Sequence, residues 1–314
     1  MCITLVEVLD LRRFSGNADA DFMKLMIPDS VAAIAVHTRA VGLLFQAYNP
    51  KVFKSGTLHR LFVGFRPVMV IRAIQSRQPT FLASQSWIHI PFSVTGPSLM
   101  QSLLNEVVML PSLLYQSDSM IETPQGNHSA DINNLLTLFL DLFARLESWG
   151  NNICMNDDQS SVSERILYTM KESTTRDTGL SLWYPNITMA NVLTHLWAFQ
   201  ITCATEIERL APLALDCVFD TQISAFEDTF ISNLVENKER MIDLGRKIYL
   251  SMDYLLQDEM KLFGPASTFY PLGVAYQRFK ASQPEMTGDI AYIENIVERL
   301  SQKGLLASPS IILE

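Results

Sequence analysis

Cysteine is scarce in this chain, and the few present are badly placed for a metal cluster or a disulfide framework. Cys2, Cys154, Cys203 and Cys217 are the only four in 314 residues, with no pair closely spaced. They read as reduced structural or surface thiols. Charge is also sparse: Asp, Glu, Lys and Arg make up 18% of the residues and leave a formal net charge of -9. No run of Lys or Arg offsets that balance locally, so direct nucleic-acid binding is not expected. The five histidines, His37, His59, His89, His128 and His195, include no pair at metal-ligand spacing. A phosphate-binding Gly-rich loop, a nucleophile elbow, a His-Glu-x-x-His pair and a basic recognition helix are all missing. Residues 1–14 carry Glu7, Asp10, Arg12 and Arg13, which is not the order of a secretory signal. The most apolar long window, Ile187 to Thr205, contains Asn191 and His195 and reads as a buried helix rather than a membrane span. These absences point to an intracellular protein, nuclear or cytoplasmic, with no membrane partner and no strong import signal.

Hydrophobic residues, by contrast, make up 48% of the chain. That surplus goes into a core, a ligand cavity or a partner surface. Its spacing is helical almost throughout. From Asp131 to Trp149 the residues Leu135, Leu136, Phe139, Leu142, Phe143 and Leu146 share one face, with Gly150 as the expected stop. Further helices are predicted over Ile187–Leu210, capped by Asn186 and ended before Pro212, over Lys238–Phe263, ended by Gly264-Pro265, and over Asp289–Gln302, closed by Gly304. In the first half, Ser30–Tyr48, Thr57–Gln75 (distorted at Pro67) and Ser98–Tyr115 read as helices. Residues 80–97 read as an ordered irregular connection. Polar stretches at 117–129 and 151–163 read as flexible, and no alternation marks a sheet. The expectation is one irregular, bundle-like, all-α domain spanning residues 1–314.

Three stretches carry a family resemblance. The first runs from His59-Arg60-Leu61-Phe62 through Arg77-Gln78-Pro79-Thr80-Phe81-Leu82 to Trp87-Ile88-His89-Ile90-Pro91-Phe92. The second is Leu146-Glu147-Ser148-Trp149, with His195-Leu196-Trp197-Ala198 downstream, and the third is Phe269-Tyr270-Pro271-Leu272-Gly273-Val274-Ala275. Together they resemble the C-terminal regulatory domain of fungal Zn₂Cys₆ (C6 finger) transcription factors. The six closely spaced cysteines that give that family its DNA-binding zinc cluster are not in this sequence. The resemblance implies a helical regulatory body that receives signals and engages other proteins.

Candidate site residues fall in three groups. His195 sits on an apolar helix beside Trp197, with Trp183 and Tyr184 just upstream. It is either a hydrogen-bonded core residue or a polar group inside a ligand pocket that Trp183, Tyr184 and Trp197 line. Arg66, Arg72 and Arg77, with His59 and Trp87, form the densest cationic-aromatic stretch, and Arg66 and Trp87 are the ligand-binding candidates there. These cations either grip an acidic group or brace the scaffold. Asn156, Ser160 and Glu164, at four-residue steps, would share one helix face and supply oxygen ligands to Mg²⁺. That pattern resembles the second metal motif of class I terpene cyclases, although the upstream Asp19-Ala20-Asp21 lacks the spacing of its usual partner motif and a polar loop produces the same letters.

Two functional expectations follow. One is a finger-less regulator of secondary metabolism that binds a small apolar metabolite, a partner regulator or both, with no cofactor. The other is a cyclase or isomerase acting on a polyketide or terpenoid in an apolar helical cavity, with His195 as proton-transfer group or Mg²⁺ as cofactor. A third places the zinc cluster upstream in a longer protein.

Overall fold

A helix that is apolar on all sides must be covered on all sides. The segment after Asn186 is such a helix. In a computed structural model that describes residues 31–122, 129–155, 167–173, 179–216 and 224–314, it becomes the central element. Before it come α1 (Val31–Gln46), α2 (Gly56–Ser76), α3 (Gln85–His89), α4 (Leu99–Val107), α5 (Leu110–Glu122) and α6 (Ser129–Met155). A hairpin of β1 (Thr169–Glu172) and β2 (Leu180–Trp183) leads into the central α7 (Ile187–Asp216). After it come α8 (Ser224–Leu250), the short α9 (Met252–Leu255) and α10 (Phe263–Ser267), then α11 (Phe269–Lys280), α12 (Thr287–Gln302) and α13 (Ser308–Ile312). Among the described residues the fold is all-α, as expected, apart from that hairpin.

α7 begins where predicted, because the Asn186 side chain accepts the backbone N–H of Met189 at 2.9 Å. It then runs past Pro212 to Asp216. The proline ring lies on the exposed side, where water can serve the carbonyl that it leaves without a donor. α6, α8 and α11 pack around α7. α6 likewise continues through Gly150 to Met155 instead of stopping. A Cβ at Gly150 would stand 2.9 Å from Leu196 Cδ2, so this glycine permits close approach of α6 to α7 rather than ending a helix.

α2 keeps Pro67 in its interior. Proline has no N–H for the carbonyl of Val63, and the Gln101 side chain of α4 donates to that oxygen at 2.9 Å instead. Helices α4 and α5 divide the single helix predicted over residues 98–115, and α5 carries on through residues 117–122, the start of the stretch expected as flexible. Residues 80–97 form α3 between two 3₁₀ turns.

The hairpin pairs Thr169 with Trp183 and Glu172 with Leu180 in antiparallel register. Every residue of β1 is exposed, so no alternation of apolar and polar positions marked it. The helix predicted over 238–263 ends at Leu250, and Gly264-Pro265 lies inside α10 instead of terminating it. A Cβ at Gly264 would fall 2.1 Å from the Leu255 carbonyl oxygen, which leaves room only for hydrogen. α12 ends as predicted, with Gly304 at φ 91° and Leu305 N–H donating to Leu300 O at 3.1 Å.

Candidate functional site

The candidate site residues do not meet in one place. Arg66 is fully buried and holds α2 against α4: Nη1 donates to the backbone and side-chain oxygens of Gln101 at 3.1 and 3.0 Å, and Nη2 to Asn105 Oδ1 at 2.6 Å. Its guanidinium also lies 5.2 Å from the Phe92 ring centre. Burial pulls it down to about 9 from its ordinary value, and no carboxylate bonds to it among the described residues. Trp87 stacks on Phe62 and meets Phe53 and Phe81, inside an aromatic core. Both residues act as scaffold at this end of the molecule.

Trp183, Tyr184 and Trp197 belong to a second aromatic group. Tyr254 meets the rings of Trp183 and Tyr184, while Tyr168 meets those of Tyr184 and Trp197. The Tyr184 hydroxyl bonds to Ser251 Oγ at 2.6 Å, and burial raises its ionisation above the ordinary phenol value. Lys171 Nζ covers the Trp183 ring at 4.2 Å. His195 points elsewhere, since two residues on a helix are about 200° apart. It stacks on Tyr270 and neighbours Phe199. Its Nδ1 lies 2.7 Å from the Asn191 carbonyl, which can only accept, so Nδ1 carries the hydrogen. Burial pushes its pKa down to about 3, and the ring is neutral at pH 7. Asn156, Ser160 and Glu164 lie outside the described residues. Among those described, no group of three His, Cys, Asp or Glu is placed to hold a metal ion.

A cleft of about 480 Å³ has Tyr270, but not His195, in its wall. Its apolar walls are Ile74 from α2, Leu114 from α5, Ile201 from α7, Val274 from α11 and Ile311 and Ile312 from α13. Gly273 lies where α11 passes the backbone of α13: a Cβ there would be in ordinary contact, at 3.7 Å, with the Ile311 and Ile312 carbonyl oxygens. The polar lining includes Arg77, Thr202, Thr205, Glu206, Glu208, Tyr270 and Arg278. The size and the mostly apolar walls suit a small organic molecule.

Two charge clusters frame the cleft. In the first, Glu206 is 4% exposed and accepts from Arg77 Nη1 at 2.9 Å and from Ser117 Oγ at 2.8 Å. Arg77 Nε also donates to Asp118 at 2.5 Å, and Arg209 reaches both carboxylates. Burial alone would raise the Asp118 carboxyl, but the bonds from Arg77 and Arg209 outweigh it and hold it low. In the second, Arg278 Nη1 donates to Glu208 Oε2 at 2.7 Å and Nη2 to the Lys238 carbonyl at 3.3 Å. Arg278 Nε and Glu208 Oε1 are both buried, without a hydrogen-bond partner among the described residues.

Of the cleft residues, Arg77 belongs to the cationic-aromatic stretch read as either gripping an acidic group or bracing the scaffold, while Tyr270, Gly273 and Val274 stand in a family-like motif and are not site candidates. Glu206 had a readable signal: an acid between Ala204 and Ile207 on a buried helix needs internal donors. Comparison with family models, curated proteins and solved structures finds no match for this chain. Among the described residues, no helix is long and apolar enough to cross a membrane.

Proposed function

We propose that this chain is the body of a regulatory protein that takes a small, largely apolar metabolite into the cleft between α2, α7, α11 and α13. The observation that carries the reading is the composition of that cleft. Residues from the first and third family-like stretches, Arg77 and Tyr270, Gly273 and Val274, converge on it, together with α7. A relative of fungal Zn₂Cys₆ regulators would use such a site to sense a product of secondary metabolism. It would pass the signal to a partner regulator, without touching DNA itself. An intracellular setting, nuclear or cytoplasmic, goes with that role.

The cyclase or isomerase alternative has less support. His195 does not line the cleft, and its neutral ring carries its proton on the nitrogen bonded to Asn191. The deciding experiment is native mass spectrometry of the purified chain after incubation with a metabolite extract, with the same mixture extracted for products. A compound retained unchanged by the folded chain, and lost when Val274→Trp narrows the cleft, supports the sensor. A compound consumed only in the presence of folded protein supports the enzyme.

A further inference from the structure

We propose that the exposed face of α1 docks an acidic amphipathic helix of a protein partner. The inference rests on the reading of this chain as a body that engages a partner regulator, and adds the chemistry of that partner; it does not depend on what enters the cleft. α1 is apolar on two opposite faces. One packs inward, where Phe45 meets the rings of Phe53 and Phe62 at 5.0 and 5.9 Å and Thr38 and Gly42 are also buried. At about 100° per residue, the opposite side carries Val36, Ala40, Leu43 and Ala47, all exposed. Ala47 continues the helical pattern, because its N–H bonds to Leu43 O at 3.1 Å. Val36 is 67% and Leu43 59% exposed, and the neighbouring Leu44 and Tyr48 are exposed as well. A helix that is apolar all round is ordinarily covered all round, as α7 is, yet α1 is covered on one side. A continuous apolar strip of this kind marks a contact site.

Spacing and charge identify the occupant. Val36, Ala40, Leu43 and Ala47 recur at steps of four, three and four, the seam that one helix offers another. From Val36 to Tyr48 the strip is about 18 Å long, enough for a partner helix of about three turns. Between Val31 and Asn105 the chain has seven Lys and Arg and no Asp or Glu, so all 33 of its acids lie elsewhere. Arg39 is exposed between Val36 and Leu43. Lys51 and Lys54 flank Phe53 in the chain, and Arg60 lies two residues before Phe62, the two rings that Phe45 meets. Among the described residues none of these four cations is in an ion pair, and Arg60 bonds to Thr57 Oγ1 instead. The same face of a second copy would bring these cations together with no acid to answer them. An anionic bilayer would answer them, but its extended surface repels a chain of net charge -9. A single helix with acids beside its apolar stripe matches both the seam and the cations, and salt screens it from acids more than about 10 Å away.

The test titrates the full chain into two labelled peptides of three heptads, about 21 residues each, with leucine at the a and d positions. One has glutamate at e and g, the other lysine, and fluorescence anisotropy reads the binding. The glutamate peptide is expected to bind about 10-fold or more tighter than the lysine peptide. Replacing both Leu43 and Leu44 by serine is expected to weaken it by about 10-fold or more. Arg39→Glu with Lys51→Glu is expected to reverse the order of the two peptides, which loss of apolar contact alone would not do. All four positions are exposed, and thermal melts confirm that the variants are folded. Equal binding of the two peptides, or tighter binding of the lysine one, overturns the acidic partner. Binding of neither, or binding untouched by the serine variant, overturns the docking face. Sedimentation velocity and flotation with vesicles containing about 30% phosphatidylserine examine the other occupants. A dimer, or a vesicle-bound chain, that is lost in the serine variant overturns the proposal in favour of a second copy or a lipid surface. Metabolite retention by the same serine variant, read by native mass spectrometry, keeps the outcome for the cleft separate from the outcome for α1.

Discussion

Arg77 donates from Nη1 to Oε1 of Glu206 at 2.9 Å, joining the end of α2 to the middle of α7 across 129 residues of sequence. It does so from an unusual backbone position, with φ at 52°. Arg77 N–H bonds to Ile74 O and Gln78 N–H to Ala73 O, the closing pattern of a helix that normally has glycine at this point. A side chain with a Cβ costs about 1–2 kcal/mol in that conformation. The guanidinium recovers it by reaching both Glu206 and Asp118.

This conflict between backbone and side chain is measurable in urea unfolding. Arg77→Ala keeps the strained backbone and removes the donors from a buried carboxylate, so it should destabilise by about 2 kcal/mol. Arg77→Gly loses the same bonds but relieves the backbone, and should cost about 1 kcal/mol less. A glycine variant no more stable than the alanine one would show that the helix end carries no strain. The Asp118 carboxyl is held below its ordinary value, so its share of the network is complete above a pH of about 4 and is lost as pH falls through the lower folded value. The gap between wild type and Arg77→Ala should therefore be constant from neutral pH to about 5 and narrow below about 4.

The Gln101 side chain serves two groups: it donates to the Val63 carbonyl left free by Pro67, and it accepts from Nη1 of the buried Arg66, which also donates to the Gln101 backbone oxygen. Gln101→Leu should cost about 1–3 kcal/mol, because it strands the Val63 carbonyl and leaves Arg66 Nη1 with the backbone oxygen alone. In a Pro67→Ala background the restored N–H can bond to Val63 within the helix, and the same change should cost about 1 kcal/mol less. A double-mutant cycle in urea reads that coupling. Additive effects would mean that the proline and the glutamine act independently.

Helix periodicity was legible wherever one face or the whole circumference of a helix was apolar, as in α6, α7 and α12. Glycine and proline were read less well, because their meaning depends on what lies across from them. Gly150 and Gly264 look like stops in one dimension, yet each sits where another chain segment passes too close for a Cβ. The hairpin was missed because β1 buries nothing. The cleft was missed for a different reason. Its walls come from α2, α5, α7, α11 and α13, and no local pattern announces that Ile74, Ile201 and Ile312 will face one space. The aromatic candidates Trp87, Trp183 and Trp197 drew attention by size, and size is satisfied here by packing against other rings.

Two glycines allow a direct check of that argument. Gly273 is mid-helix, and a Cβ there meets its nearest neighbours at an ordinary 3.7 Å, so Gly273→Ala should stabilise by about 0.5–1 kcal/mol. Gly264→Ala would drive a Cβ into the Leu255 carbonyl, where backbone has to move, and should destabilise by about 3 kcal/mol. Thermal melts of the two variants should therefore shift in opposite directions. A shift of the same sign in both would mean that helix propensity, and not the space around each residue, governs these positions.

The burial of His195 has its own signature in pH. Its folded pKa lies near 3, well below the value of about 6.5 in an unfolded chain. As pH falls below about 6.5 the unfolded chain takes up a proton that the folded chain refuses, so stability from this residue is full above that pH and declines below it. The decline is about 1.4 kcal/mol per pH unit until the folded ring itself titrates. His195→Phe can still pack against Tyr270 but has no such term, and its stability deficit relative to wild type should shrink by about 2–3 kcal/mol between a pH of about 7 and about 4.5. The His195 ring resonances of the folded protein should stay fixed over the same range. A ring that instead titrates near 6.5 would be in contact with water, and His195 would then regain a claim to proton transfer in the cleft that Tyr270 lines.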